Sequence, residues 1–322
     1  MQAIVYTEFG GPEVLKFEER PTPTPGPGQA LVKLAAVGVN FIEIYQRLGW
    51  YKIPLPAIPG SEGAGVVEAI GPGVTEAQPG DRVAFIGGLG AYATHCLVPG
   101  DRLVRLPAAV GFAQGVAAMI QGMTAHMLAT RTYPLKPGDW CLVHAAAGGV
   151  GLLLTQIAKM QGARVIGTTS TEEKAKLARE AGADEIILYT EQDFLTEVRR
   201  ITGGKGVQVA YDSVGKDTFD KSLDCLAPLG YLVSFGQSSG FQAPLDIQRL
   251  GGLRSLFVTR PSLFAYTQTR PDYLRHANAV LDMIGGGALK VRIGATYPLA
   301  QAAAAHTVLA GRQTAGKVVL VP

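Results

Sequence analysis

Cysteine is scarce in this 322-residue chain: Cys96, Cys141 and Cys225 lie far apart, odd in number and without a CxxC pair. Neither a disulfide framework nor a cysteine-rich metal knuckle follows from such spacing, which points to a reducing compartment. Charge is sparse too. Charged residues make up 17%, and 29 Lys and Arg against 26 Asp and Glu leave a net of +3. With few basic clusters and no interleaved aromatics, nucleic acid is not expected as the main partner. No stretch approaches the roughly 18 uninterrupted apolar residues of a membrane span. The opening MQAIVYTEFGG lacks the basic-then-apolar order of a secretion signal. A soluble, cytoplasmic protein is the expectation. What is plentiful is hydrophobic residues, 47%, and glycine, 41 residues, which excludes a disordered chain. At roughly 150 residues per domain the length implies two domains.

The first part reads as strand and loop. Short β-rich runs (AIVYT, ALVKLAAVGV) flank PTPTPGPG, and Gly and Pro clusters then recur between Val-rich runs from 54 to 106. Such spacing predicts a small β-barrel or sandwich. Character changes after Leu106, where GFAQGVAAMIQGMTAHMLATRTY predicts a helix. From Trp140 strands and helices alternate strictly: WCLVHA, VGLLLTQIAKMQG, RVIGTTS, TEEKAKLAREAG, EIILY, DFLTEVRRITG, VQVAYDSV, FDKSLDCL, GYLVSFG. This pattern predicts a parallel sheet covered by helices on both faces. In TEEKAKLAREAG, Thr171 is placed to cap and Gly182 to stop the helix. The chain is expected to leave the sheet around SLFVTRPSL, form one more long helix (DYLRHANAVLDMIGGG), and end in a β-rich tail. The fold class is therefore α/β, a doubly wound nucleotide-binding domain at 124–260 inserted into a discontinuous β-rich domain at 1–123 and 261–322.

A146-x-G148-x-x-G151 follows a predicted strand and opens a predicted helix. In that context the glycines permit a tight turn and close strand-to-helix packing, and helix N-terminal N–H groups receive a pyrophosphate. Alone the motif is weak, because its first glycine is an alanine; the βα repeats around it supply the support. An NAD-selective site places a carboxylate at the next strand tip, but here that tip is Thr168, Thr169 and Ser170. Ser170 and Lys174 are placed to donate to a 2′-phosphate, which favours NADPH. A solvated helix charge is the other reading of Lys174, and Glu172 and Glu173 oppose a phosphate there.

GGPEVL, GVNFIE, PGSEGAGVV, PGDRV, HAAAGGVG, YDSVG, VSFG, VTRPSL and GKVVLVP together resemble the zeta-crystallin-like NADPH:quinone oxidoreductases of the medium-chain dehydrogenase/reductase superfamily. The resemblance spans the whole chain. It implies a GroES-like catalytic domain, a Rossmann domain, a substrate cleft between them and a homodimer joined through the Rossmann sheet edge. Where the zinc-dependent branch has metal ligands, this chain has Asn40 in GVNFIE and Ser61 in GSE. No metal is expected, and Asn40 and Ser61 remain as neutral hydrogen-bonding replacements. Hydride transfer without a Lewis acid suits a quinone, whose reduction product is a delocalised anion, better than a simple alcohol.

The resemblance carries Asn40, Glu43, Tyr45 and Tyr51 to the substrate pocket and Arg260 to its mouth. It also implies Phe41 as a cofactor contact, Thr124 near the nicotinamide half and Gly148, Gly149 and Val150 at the pyrophosphate. Ser170, Lys174 and Tyr189 would surround the adenosine phosphate, with Ser213, Phe235, Gln237, Phe257 and Thr259 along the strand tips and Arg312 near the C-terminus. Other readings stay open. Asn40 with Glu43 three residues on is equally a capping box, Tyr45 and Tyr51 equally core residues, and Arg260 equally a surface ion pair. His126, His144, His276 and His306 read as structural, and no general acid stands out. The rival functions are an NADPH-dependent enoyl or alkenal reductase, and a noncatalytic NADPH-binding protein of crystallin-like or RNA-binding type.

Overall fold

The computed structural model describes all 322 residues, which divide into two units: Met1–Met123 with Thr267–Pro322, and Thr124–Tyr266. Unit 1 begins with β1 (Gln2–Val5), which pairs antiparallel with β2 (Lys16–Glu19). The long β3 (Gln29–Val39) ends in helix α1 (Phe41–Arg47), and β4 (Glu62–Ile70), β5 (Arg82–Ile86), β6 (His95–Pro99) and β7 (Leu103–Arg105) follow. β3 pairs with β4 on one side and, on the other, with β6 along its first half. Nearly all of β3 is buried, Lys33 alone being exposed, in keeping with the apolar run ALVKLAAVGV.

The single helix expected over 111–133 forms as α2 (Phe112–Ala117), a π turn at Ala118–Gly122, α3 (Met123–Met127) and a second π turn at Leu128–Thr132. A π turn displaces the regular backbone ladder. In the first one, the Ile120 N–H donates at 2.6 Å to the Glu62 carboxylate.

Unit 2 carries β8 (Trp140–Val143), α4 (Gly149–Met160), β9 (Arg164–Thr169), α5 (Glu172–Glu180), β10 (Glu185–Leu188), α6 (Phe194–Ile201), β11 (Val207–Asp212), α7 (Phe219–Asp224), β12 (Leu226–Ser234), β13 (Phe257–Thr259) and α8 (Leu263–Tyr266). The six strands are all parallel, in the order β10-β9-β8-β11-β12-β13. The order reverses at β8, so the open crevice of a doubly wound sheet falls at the carboxyl end of β8. Thr171 does cap α5, accepting the Lys174 N–H at 3.3 Å, and Gly182 ends it at φ +103°. The chain leaves this sheet where expected, within SLFVTRPSL: Phe257–Thr259 is the sixth and last strand.

The chain then returns to unit 1 through α9 (Arg270–Gly285), β14 (Ile293–Pro298), α10 (Ala302–Ala310) and β15 (Lys317–Val321). β15 pairs with the second half of β3, completing a seven-stranded sheet in the order β14-β15-β3-β4-β5-β7 with β6 beside β3. Its core includes Val32, Val37, Val39, Val83, Phe85, Tyr92 and Leu320. The tail expected to be β-rich is half helix. AAAAHTVLA has alanine at five of its nine positions, and that high helix propensity outweighs the single β-branched pair. No helix of either unit is long and apolar enough to cross a membrane.

Candidate functional site

In unit 1 the end of β3 delivers Asn40 to the N-terminus of α1. Glu43, one turn in, is fully enclosed; its carboxylate accepts the Asn40 N–H at 2.8 Å and the Ser61 N–H at 3.1 Å. It therefore clamps together the two segments in which the zinc-dependent branch carries ligands. With each oxygen accepting one backbone N–H, Glu43 holds the two segments together. Burial and the nearby Glu62 carboxylate push its pKa up to about 7, while Lys317 and the two backbone donors pull it down.

The Asn40 carboxamide faces a second buried group. Its Nδ2 donates to Glu62 Oε1 at 2.8 Å, and its Oδ1 accepts from Lys317 Nζ at 2.8 Å and Gln121 Nε2 at 3.4 Å. Lys317 also pairs directly with Glu62 and donates to the Val39 carbonyl at 3.4 Å. No group of three or more His, Cys, Asp and Glu converges in a way that could hold a metal ion. The aromatic residues of α1 and the turn after it form one wall. Tyr45 stacks on Trp50 at 5.4 Å, meets Tyr51 edge-on at 5.6 Å and lies 6.0 Å from Phe41. Tyr45 is buried, whereas Trp50 and Tyr51 each expose more than a third of their surface.

Unit 2 presents the glycine turn. Gly148 caps α4 in extended conformation, and Gly149, Val150 and Gly151 form its first turn, whose N–H groups have no helical partner. A Cβ on Gly151 would lie 2.3 Å from the Ala145 carbonyl oxygen and 2.8 Å from Ala146 Cα, so only glycine lets α4 sit this close to β8. Ala145 itself takes φ +51°, a strained value for a residue with a Cβ. Beneath the turn, His144 is buried between Thr168 Oγ1 (3.0 Å) and Ser222 Oγ (2.8 Å). Burial lowers its pKa, so it sits neutral in a structural network. Asp212 at the tip of β11 accepts the Val214 and Gly215 N–H groups and both contacts from Thr218 Oγ1.

The strand tips gather most of the expected cofactor residues. Thr168 and Thr169 are buried at the end of β9, Ser170 and Lys174 are half-buried after it, and Tyr189 is exposed just past β10, its N–H bound to the Thr169 carbonyl. Ser213 follows β11, Phe235 and Gln237 follow β12, and Thr259 ends β13; Phe257, expected at a strand tip, instead begins β13 and stacks on Tyr231 at 4.5 Å. Arg260, exposed just after β13, donates to Gln237 Oε1 at 2.6 Å, a contact within unit 2. Thr124 is half-buried on α3. Phe41 and Arg312, also expected at the cofactor, belong to unit 1, where Arg312 occupies an exposed turn after α10 at φ +55°. A separate cavity of about 660 Å³, lined by Trp140, Arg164, Thr202, Lys205 and Gln208, opens at the amino ends of β8, β9 and β11. That is the wrong end of a parallel sheet for a dinucleotide.

Sequence reasoning passed over Lys317 and gave Glu62 no role. A signal existed in each case, a charged residue leading directly into an apolar run (KVVLV, EGAGVV).

Residues 26–108 match the family described as alcohol dehydrogenase GroES-like domain, and residues 149–279 match the one described as zinc-binding dehydrogenase. A quinone oxidoreductase of Pseudomonas aeruginosa is 45% identical over 99% of both chains. A 2-haloacrylate reductase of a Burkholderia species is 44% identical over 100% of this chain and 99% of its own. The crystal structure of Escherichia coli quinone oxidoreductase complexed with NADPH is 42% identical over the full length of both chains, with a TM-score of 0.97.

Proposed function

The chain belongs to the quinone oxidoreductase family of the medium-chain dehydrogenase/reductase superfamily, and from that membership we propose that it is an NADPH-dependent, zinc-independent quinone reductase. The observation that carries the reading is the donor set at Asn40. A carboxamide, an ammonium and a carboxylate already bound to both stand where a metal would need ligands. A buried ammonium also repels a cation.

The residues fit the dinucleotide. Gly148, Gly149 and Val150 would hold the pyrophosphate on the open first turn of α4. Ser170 and Lys174 would hold the 2′-phosphate at a strand tip that has no carboxylate. Tyr189, Ser213, Phe235, Gln237, Phe257, Thr259, Thr124, Phe41 and Arg312 complete the proposed cofactor set. NADPH, when bound, supplies the hydride. For the acceptor, Asn40 offers an N–H donor, Tyr45 and Tyr51 offer an aromatic wall, and Arg260 offers a cation. Charge developing on a quinone oxygen is spread through the ring, so hydrogen-bond donors and alignment suffice without a Lewis acid. Glu43 keeps the Asn40 and Ser61 segments in register. With no exposed acid in the cluster, water supplies the protons.

The three thiols are buried, in keeping with a reducing cytoplasm. The sheet edge at β13 is unpaired on one side, and Leu229, Phe241, Ile247, Leu253 and Phe257 expose apolar surface on the same unit. We assign that edge to a homodimer. A second reading, reduction of conjugated carbonyl compounds, is favoured by the 2-haloacrylate reductase relative.

The test is single-turnover absorbance at the reduced-nicotinamide band, with NADPH or NADH against 1,4-benzoquinone, 9,10-phenanthrenequinone and an enone, each with and without chelator. Fast, chelator-insensitive NADPH oxidation by a quinone is expected. Turnover confined to the enone supports the second reading, and NADPH binding without turnover a noncatalytic role.

A further inference from the structure

Lys317 is 1% exposed and Glu62 is fully enclosed. A buried ion pair contributes little stability relative to apolar packing, so its presence calls for another explanation. The surrounding backbone is built to admit it. A Cβ on Gly38 would fall 2.0 Å from Glu62 Oε1, so the carboxylate lies against β3 only because that strand has no side chain there. Glu62 Oε2 is anchored separately, by the Ile120 N–H at 2.6 Å. That leaves Oε1 for Lys317 and Asn40.

An asparagine amide looks nearly the same when rotated by half a turn, and only its partners decide which end is oxygen. Here two donors, Lys317 Nζ and Gln121 Nε2, face one end and a carboxylate faces the other. Rotation would set the amide NH2 against the ammonium and the oxygen against the carboxylate. Nδ2 carries two hydrogens and spends one on Glu62. Asn40 keeps 7% exposure, more than either charged partner.

We infer that the Lys317–Glu62 pair is a positioning device for the Asn40 carboxamide, turning its oxygen inward and leaving one Nδ2 N–H as the hydrogen-bond donor to the acceptor's carbonyl oxygen. The inference rests on the reading of Asn40 as a substrate contact. Asn40 is the catalytic residue in this scheme, and Lys317 acts through it.

The experiment is a double-mutant cycle on kcat with NADPH, run with 1,4-benzoquinone and an enone in parallel, together with fluorescence titration of NADPH. Asn40→Ala is expected to lower kcat about 100-fold, the usual cost of losing one preorganised donor. Lys317→Met should lower it at least about tenfold without changing NADPH affinity, and should add less than about twofold in the Asn40→Ala background. Lys317→Arg, which keeps a charged donor, should recover part of the loss. If Lys317→Met leaves Glu62 uncompensated and the protein unfolds, Glu62→Gln with Lys317→Met removes both charges and is read in the same cycle. Independent factors for Lys317 and Asn40 with either acceptor overturn the inference, as does wild-type kcat in Lys317→Met or Asn40→Ala. A failure of the quinone reading alone appears differently, as wild-type turnover confined to the enone with the Lys317–Asn40 coupling intact.

Discussion

Lys317 Nζ lies 2.8 Å from Asn40 Oδ1, although 277 residues separate them in the chain. The contact exists because β15 pairs antiparallel with the end of β3, setting Val318 opposite Val39. The first residue of the last strand thereby reaches the N-cap of α1. Glu62 arrives from β4, on the other side of β3. One strand thus gathers three polar groups that no local sequence pattern joins.

Glu43 makes stability fall with rising pH. Its folded pKa of about 7 lies above the ordinary carboxyl value, so the native state binds the proton more tightly than the unfolded chain. The contribution is fully present below about pH 4.5 and lost as pH rises through 7, an effect on the order of 3 kcal/mol. Denaturant titration of Glu43→Gln against wild type at pH 5 and pH 8 should show the variant relatively more stable at the higher pH. A pH-independent difference would remove Glu43 from this role.

His306 acts with the opposite sign. Burial, with Arg47 nearby, lowers its pKa to about 3, and its Nε2 lies 2.9 Å from the Tyr92 hydroxyl. The neutral ring is stabilised at pH 7, and that contribution is lost as pH falls from about 6.5 towards 3. His306→Gln, which retains a hydrogen-bonding group but does not titrate there, should flatten the acid limb of the urea midpoint. An unchanged acid limb would assign it to other groups.

Lys174 supplies the test of cofactor choice. Lys174→Glu is expected to weaken NADPH by tenfold or more, about the 1.4 kcal/mol of one charged contact, and NADH much less. Equal losses for the two nucleotides, measured by fluorescence titration, would move Lys174 away from the 2′-phosphate.

Gly151 is limited by backbone rather than by flexible side chains. Gly151→Ala drives a methyl into the Ala145 carbonyl and the Ala146 backbone, at 2.3 and 2.8 Å. Overpacking of this kind costs about 1–3 kcal/mol. The shift of α4 away from β8 should also weaken NADPH. A lower thermal midpoint with unaltered NADPH affinity would separate the turn from the cofactor.

The sequence alone determined what rests on short-range pattern. Alternating Val- and Ile-rich strands with capped helices specified the parallel sheet of unit 2, Thr171 and Gly182 bounded α5, and the glycines after β8 marked the turn, because these depend on backbone periodicity and local hydrogen bonds. Pattern failed where local and long-range terms compete. The alanine-rich stretch of a tail expected to be β-rich forms a helix, its propensity prevailing until the strand that follows. The partners of Asn40 were decided only by the tertiary structure. Glu62 and Lys317 come from the two strands that flank β3, and sheet order is set by the burial of whole faces rather than by any spacing along the chain.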